Sequence, residues 1–166
     1  MLSGCAIHNQ YEPELHPLDP ARFAALNKVE LSKKISVINA QASKQDLLLG
    51  EAGAHDYYGS LRDITEAAVM HAKDELAKRE VDVGADNGAD KTLSLKVTSA
   101  KMIKGMWVMR AVIDMSVETG DGLTKAYHAE NASPMGVERA YNGAAAIAVI
   151  EIFSDPEILE YISAAQ

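Results

Sequence analysis

The sequence predicts an α+β fold in which two helices cover one face of a four-stranded antiparallel sheet, with a short helix at the C-terminus. The first observation is an alternation at every second position between 93 and 117, which places apolar side chains on one face of each strand. The alternating residues are Leu93, Leu95, Val97, Trp107, Met109, Ala111, Ile113, Met115 and Val117. The second is the turn Gly120-Asp121-Gly122, after which positions 123–131 return as a third strand. The third observation is that apolar residues recur every three or four positions, the period of a helix, both before and after this meander.

Positions 29–40 are expected to form the first strand and to join the meander as the fourth strand of the sheet. Apolar residues of one parity support this interpretation. They are Val29, Leu31, Ile35 and Val37. Trp107 and Ile113 share the apolar parity of their own strand, so both are expected to face the helices.

The long segment 41–59 is expected to form a mobile loop, because Gly50, Gly53 and Gly59 interrupt it. Tyr57 and Tyr58 are its candidate binding residues, since adjacent tyrosines offer a protein partner or a sugar a stacking surface. The alternative is structural: one tyrosine closes the sheet edge and the other is half exposed. The sequence leaves both interpretations open.

The first long helix is expected to begin after Ser60, with Asp63 completing an approximate capping box. Its apolar residues recur every three or four positions and form one face. They are Leu61, Ile64, Ala68, Ala72 and Leu76. His71 flanks this stripe, which is typical of a boundary residue.

The last long helix is expected to begin at Ser133-Pro134, with Ser133 as its N-cap. Between positions 144 and 153 it is apolar on nearly all sides, so it must be buried within the chain or against a second copy. We expect burial within the chain, because a short helix at 157–164, capped by Asp155-Pro156, can act as a lid.

The chain is expected to divide at positions 28 and 29. Positions 29–166 form a single α+β domain, and positions 1–28 hold an anchor, a polar tether and a short helix that begins at Asp19-Pro20. The start, Leu2-Ser3-Gly4-Cys5, resembles a bacterial lipobox, in which the cysteine is lipidated and becomes the first residue of the mature protein. The basic and apolar parts of a secretion signal are not ahead of it, so we infer that the sequence begins inside the signal.

Composition narrows the classes of function. The net charge of −8 argues against nucleic acid, whose phosphates require a basic face. A single cysteine allows no internal disulfide and no cysteine-based zinc site. We find no nucleotide, metalloprotease or hydrolase motif, so neither a cofactor nor an enzymatic activity is expected. His128 and Glu130 share one face of a strand and are the nearest approach to an acid–base pair, but an outer strand would present them to water.

The chain resembles the YajG-like small lipoproteins of Gram-negative bacteria over positions 29–163. The resemblance is carried by the order of the elements and by four short segments. These are Ile35-Ser36-Val37-Ile38-Asn39-Ala40, Ser60-Leu61-Arg62-Asp63, Lys125-Ala126-Tyr127-His128-Ala129, and Ser154-Asp155-Pro156-Glu157-Ile158-Leu159-Glu160-Tyr161-Ile162. It implies a lipoprotein of the outer membrane that faces the periplasm and has no defined enzymatic role.

The sequence therefore predicts a non-catalytic interaction module of the cell envelope. The membrane is its expected partner through a lipid on Cys5, together with an envelope protein whose identity the sequence does not indicate. Ala6 favours the outer membrane, because Asp after the cysteine is the residue that retains bacterial lipoproteins in the inner membrane. The alternative is a periplasmic carrier or transporter accessory that holds a lipid or a glycan. An apolar cavity between sheet and helices would favour the carrier, and a filled core the module.

Overall fold

The computed structural model describes residues 6–84 and 88–164, and its elements confirm the predicted α+β class. The strands are β1 (Ile7–Gln10), β2 (Ile35–Asn39), β3 (Leu47–Ala52), β4 (His55–Gly59), β5 (Lys91–Lys104), β6 (Met109–Thr119) and β7 (Thr124–Ser133). The α-helices are α1 (Leu61–Ala77), α2 (Val137–Ile152) and α3 (Pro156–Ile162). Two short 3₁₀ helices, Pro20–Phe23 and Leu26–Lys28, precede β2.

The main sheet has the strand order β2-β5-β6-β7. The antiparallel pairing of β5 with β6 and of β6 with β7 confirms the meander. The expectation of a fully antiparallel sheet is wrong at its first strand, because β2 pairs in parallel with β5, with Ile35 opposite Lys91. The strand also begins at Ile35 rather than at position 29. The connection explains the direction: α1 lies between β2 and β5 in the chain, and a helical crossover is the usual link between parallel strands.

Two helices cover one face of this sheet, as predicted. α1 contacts β2 and β5, α2 contacts β6 and β7, and the helices contact each other. The alternation in β6 is confirmed over most of its length, because the side chains of one parity are buried. These are Ala111, Ile113, Met115 and Val117. α2 is buried within the chain, as expected, with Ala144, Ala145 and Ala148 fully inaccessible.

The prediction that Trp107 faces the helices is wrong. Trp107 lies in the turn between β5 and β6, where Gly105 N donates to Val108 O at 2.9 Å. The Trp107 side chain is 83% exposed. The partner strand β7 ends at Ser133, opposite Met109. Trp107 therefore lies beyond the last residue that the neighbouring strand pairs.

A second, three-stranded sheet forms where the sequence suggested a tether and a loop. Its order is β1-β4-β3, with β1 parallel to β4 and β3 antiparallel to β4. The expected loop at 41–59 is therefore largely a hairpin. The expected tether at 7–18 begins as a strand and continues across the helices, where Tyr11 is buried.

The remaining N-terminal residues also belong to the core. Asp19 caps the first 3₁₀ helix by accepting from Ala21 N at 2.9 Å, which confirms the short helix predicted there. Phe23 and Leu26 are fully buried, and the Phe23 ring packs 6.4 Å from that of Phe153 at the end of α2. The segment before position 29 thus completes the core of the α+β domain.

Helix starts follow local capping chemistry. At α1 the predicted capping box is present: Asp63 N donates to Ser60 Oγ at 3.2 Å, and Ser60 N donates to Asp63 Oδ2 at 2.9 Å. α2 begins later than predicted, since Ser133 is the last residue of β7 and the N-cap is Gly136. Gly136 has φ 110°, a conformation that favours glycine.

Candidate functional site

Tyr57 and Tyr58 lie side by side on β4, the central strand of the small sheet. Neighbouring residues of a strand point to opposite faces, so the two tyrosines do not share one surface. Tyr57 is partly buried against the core, with its ring 6.5 Å from that of His55. Tyr58 is the tyrosine that lines an open groove.

The groove beside Tyr58 is lined by polar and aromatic side chains, and its volume is about 470 Å³. Strand β1 supplies one wall, formed by His8, Asn9 and Gln10. The His8 ring lies 5.3 Å from the Tyr58 ring, and Gln10 Nε2 donates to Asp46 Oδ1 at 3.3 Å. A flat aromatic face beside amide and carboxylate groups suits a sugar or a polar peptide.

The structure connects this groove to the N-terminal segment, which sequence reasoning missed. Ile7 N donates to Ala54 O at 2.8 Å, and Tyr11 N donates to Tyr58 O at 2.7 Å. The signal for β1 is weak, because Ile7 and Tyr11 are the only apolar residues between positions 7 and 14. Parallel pairing with β4, 48 residues away, leaves no local trace in the sequence.

Beyond β1, two buried polar side chains hold the N-terminal segment on the helices. Asn142 Oδ1 accepts from Tyr11 Oη at 2.6 Å and from Glu14 N at 3.1 Å. His71 Nε2 accepts from His16 N at 3.2 Å. Burial, together with a smaller effect of the nearby His16, lowers the pKa of His71 to about 4, so this acceptor is neutral near pH 7. His71 is buried. The sequence analysis predicted a boundary residue, and that prediction is wrong.

His128 and Glu130 lie on the exposed face of β7, together with Asp114 of β6. His128 Nδ1 is 2.8 Å from Asp114 Oδ1, and His128 Nε2 is 3.3 Å from Glu130 Oε1. These hydrogen bonds, that to Asp114 first, raise the pKa of His128. Water reaches all three groups, so the cluster resembles a surface ion pair more than an enclosed acid–base site. Within residues 6–84 and 88–164, no group of three or more His, Cys, Asp or Glu is placed to hold a metal ion.

The turn between β5 and β6 exposes Trp107, which the sequence analysis assigned to the core, together with apolar neighbours. We refer to residues 103–108 as the hairpin end. Its exposed apolar residues are Ile103, Met106, Trp107 and Val108. The signal that could have found it is Gly105, which together with the adjacent basic Lys104 interrupts the alternation immediately before Met106 and Trp107.

Cys5, the predicted lipidation residue, lies outside the described residues, which begin at Ala6. Strand β1 begins at Ile7. In the part of the chain that the structure describes, no helix has the length and apolar character needed to cross a membrane.

Comparison with known proteins leaves the function open. No protein-family model matches the chain, and no curated protein matches it. Among solved structures, the chain is similar to PelC of Paraburkholderia phytofirmans, described as a dodecamer, with a TM-score of 0.44. That similarity has 14% sequence identity and covers 79% of this chain and 90% of the PelC chain.

Proposed function

We propose that this protein is a lipid-anchored, non-catalytic interaction module of the cell envelope, held on the periplasmic face of the outer membrane through Cys5. The observation that carries the proposal is the sequence Leu2-Ser3-Gly4-Cys5, followed within two residues by a paired strand. Two extended residues span about 7 Å, so a lipid on Cys5 would hold the small sheet directly beside the membrane. Ala6, rather than Asp, favours the outer membrane.

The packing between the sheet and helices supports a module over a carrier of lipid or glycan. Leu95 and Ile113 on the sheet and Ala148 on α2 belong to the core and have no surface that a water molecule could touch. A ligand-sized cavity beside them would leave such surface. A carrier would need the helices to separate from the sheet, at the cost of exposing a core that is mainly apolar.

The groove beside Tyr58 is the partner-binding surface in this proposal. β1 forms one of its walls, so an anchored protein would present the groove close to the membrane surface. Tyr57 contributes to folding instead, because it packs against the core.

Labelling of the native protein with radioactive palmitate tests the anchor. We expect label in the wild-type protein and in an Ala6→Ser control, and none in Cys5→Ser. We also expect the wild-type protein to fractionate with outer membranes, because three acyl chains make attachment effectively permanent. An unlabelled native protein with a free thiol would overturn the proposal.

Crosslinking in intact envelopes tests the groove. Tyr58→Ser should lower the yield of the crosslinked partner without changing the melting temperature. The matched control is Leu15→Ser, a half-exposed residue outside the groove. An unchanged crosslink in Tyr58→Ser would place the partner elsewhere on the surface.

A further inference from the structure

The hairpin end projects its apolar side chains into solvent. Met106 is 88% exposed and Trp107 is 83% exposed, values that are unusual for residues of this size. They lie at the tip of a hairpin whose neighbour β7 ends at Ser133, and a groove of about 350 Å³ lined in part by Met102 and Lys104 lies beside the tip. Met135, two residues beyond Ser133, adds a further exposed apolar side chain near this end of the sheet. Clusters of exposed apolar residues mark surfaces that bind a membrane or another protein.

Within the sequence of the β5–β6 hairpin, the stretch that contains the hairpin end has a net charge of the opposite sign to that of the whole chain. Positions 91–113 contain five basic residues and no acidic one, although the net charge of the chain is −8. The basic residues are Lys91, Lys96, Lys101, Lys104 and Arg110. Lys101, Lys104 and Arg110 flank the tip on its two strands, and Arg110 also makes an exposed ion pair with Glu130 at 3.5 Å. Basic residues beside an apolar tip match an anionic bilayer surface.

The small sheet packs against β5 close to the hairpin end. A Cβ at Gly50 of β3 would lie only 3.2 Å from Met102 Cγ of β5, so the small sheet packs against this part of the hairpin. Two residues further along β3, Ala52 pairs with His55, and His55 pairs with Ile7. β1, which begins at Ile7, is therefore two strand pairings away from the strand β3 that packs against Met102.

We propose that the hairpin end is a second membrane contact, which inserts Trp107 and Met106 into the interfacial region of a bilayer containing anionic phospholipid. Tryptophan favours the interface because its ring is apolar and its indole N–H is polar. The proposal deepens the proposed function and rests on it only for the choice of membrane. A protein partner is less well matched, since Lys101 and Lys104 flank the tip and lysine is depleted in protein–protein interfaces.

Trp107 is the only tryptophan in the chain, so its fluorescence reports directly on the hairpin end. The full chain carrying Cys5→Ser, which excludes acylation, is mixed with vesicles of phosphatidylethanolamine and phosphatidylglycerol. We expect a blue shift of the Trp107 emission, quenching by lipids brominated near the headgroup, and co-sedimentation with the vesicles. Vesicles of phosphatidylcholine alone should bind more weakly, because they lack the negative charge.

Variants separate the apolar and basic contributions. Met106→Ser with Val108→Ser should weaken vesicle binding about tenfold. The control is Ile38→Ser, which has the same exposed fraction as Val108, 37%, but lies on β2 opposite Ser94, far from the tip. Lys101→Gln with Lys104→Gln should weaken binding about 25-fold, since each basic residue near an anionic surface contributes about fivefold. Lys33→Gln with Lys44→Gln, which makes the same change in net charge elsewhere, should have little effect.

Emission that does not respond to anionic vesicles would overturn the proposal. A blue shift that depends on protein concentration without lipid would also overturn it, because it would assign the hairpin end to a contact between copies. The variants replace exposed residues and should keep the wild-type circular dichroism spectrum. If Met106→Ser with Val108→Ser changes the spectrum, the test rests on Lys101→Gln with Lys104→Gln instead. Vesicle binding and palmitate labelling are independent readouts, so either contact can fail without the other.

Discussion

One hairpin, β5–β6, is covered by helices along one part and free of them along the other. Ile113 and Trp107 belong to the same alternation, yet Ile113 is fully buried and Trp107 is 83% exposed. The lengths of the two layers explain the contrast. α2, which covers β6, has 16 residues and spans about 24 Å, whereas β6 has 11 residues and spans about 37 Å before the turn that holds Trp107. Alternation determines which side chains share a face, and the reach of the covering layer determines which of them are buried.

The largest effect is expected in the covered part. Ile113→Ala should lower the free energy of unfolding by about 2–5 kcal/mol, because it leaves a cavity under the helices. Urea unfolding measures the change. Val112→Ala, on the opposite face of the same strand, is the control and should cost clearly less. A loss below about 1 kcal/mol for Ile113→Ala would mean that the helices do not cover this position.

Acid should weaken the covered part through His71. Its pKa is about 4 in the folded protein and about 6.5 in the unfolded chain, so between these values only the unfolded chain binds the proton. This contribution to stability is complete above about pH 6.5 and falls as the pH drops toward 4, by up to about 3 kcal/mol. Protonation also removes the acceptor for His16 N. Urea unfolding at pH 7 and pH 4.5 should show this component in the wild type and not in His71→Gln, and equal losses in both proteins would contradict it.

On the open face of the sheet, the pKa of His128 is shifted upward, opposite to that of His71. Its titration should have little effect on stability. The hydrogen bond to Asp114 is the largest cause of the raised pKa of His128, ahead of the one to Glu130. Asp114→Asn should therefore lower the pKa of His128, followed by NMR of its ring protons, and Glu130→Gln should lower it less. A larger change in Glu130→Gln would reverse the ranking of the two carboxylates.

The smallest effect is expected at the hairpin end. Trp107→Ser should change the free energy of unfolding by no more than about 0.5 kcal/mol, because the side chain packs against little of the fold. Thermal unfolding followed by circular dichroism measures it without the tryptophan signal. A loss above 1 kcal/mol would show that Trp107 packs against the domain in solution and would remove the contrast with Ile113.

Features set by local chemistry could be predicted from the sequence. The capping box of Ser60 and Asp63, the N-cap Asp155 and the apolar parity of β6 all depend on residues a few positions apart. The missed features depend on distant partners. β2 pairs in parallel with a strand that begins 56 positions later, and β1 pairs with a hairpin whose strand β3 begins Leu47-Leu48-Leu49, without alternation. The sequence predicted the adjacent tyrosines of the candidate site. It did not predict the groove, which exists only because β1 lies beside Tyr58.

The hydrogen bond from Tyr11 to Asn142 joins residues 131 positions apart and has a consequence for the order of folding. Closing so long a loop is slow, because the chain must lose the corresponding entropy before the contact forms. During synthesis or export the N-terminal residues emerge first, yet their place on α2 exists only after the last third of the chain is available. Tyr11 and Glu14 therefore acquire their contacts with Asn142 only after the chain has been made through α2, although β1 can pair with β4 much earlier.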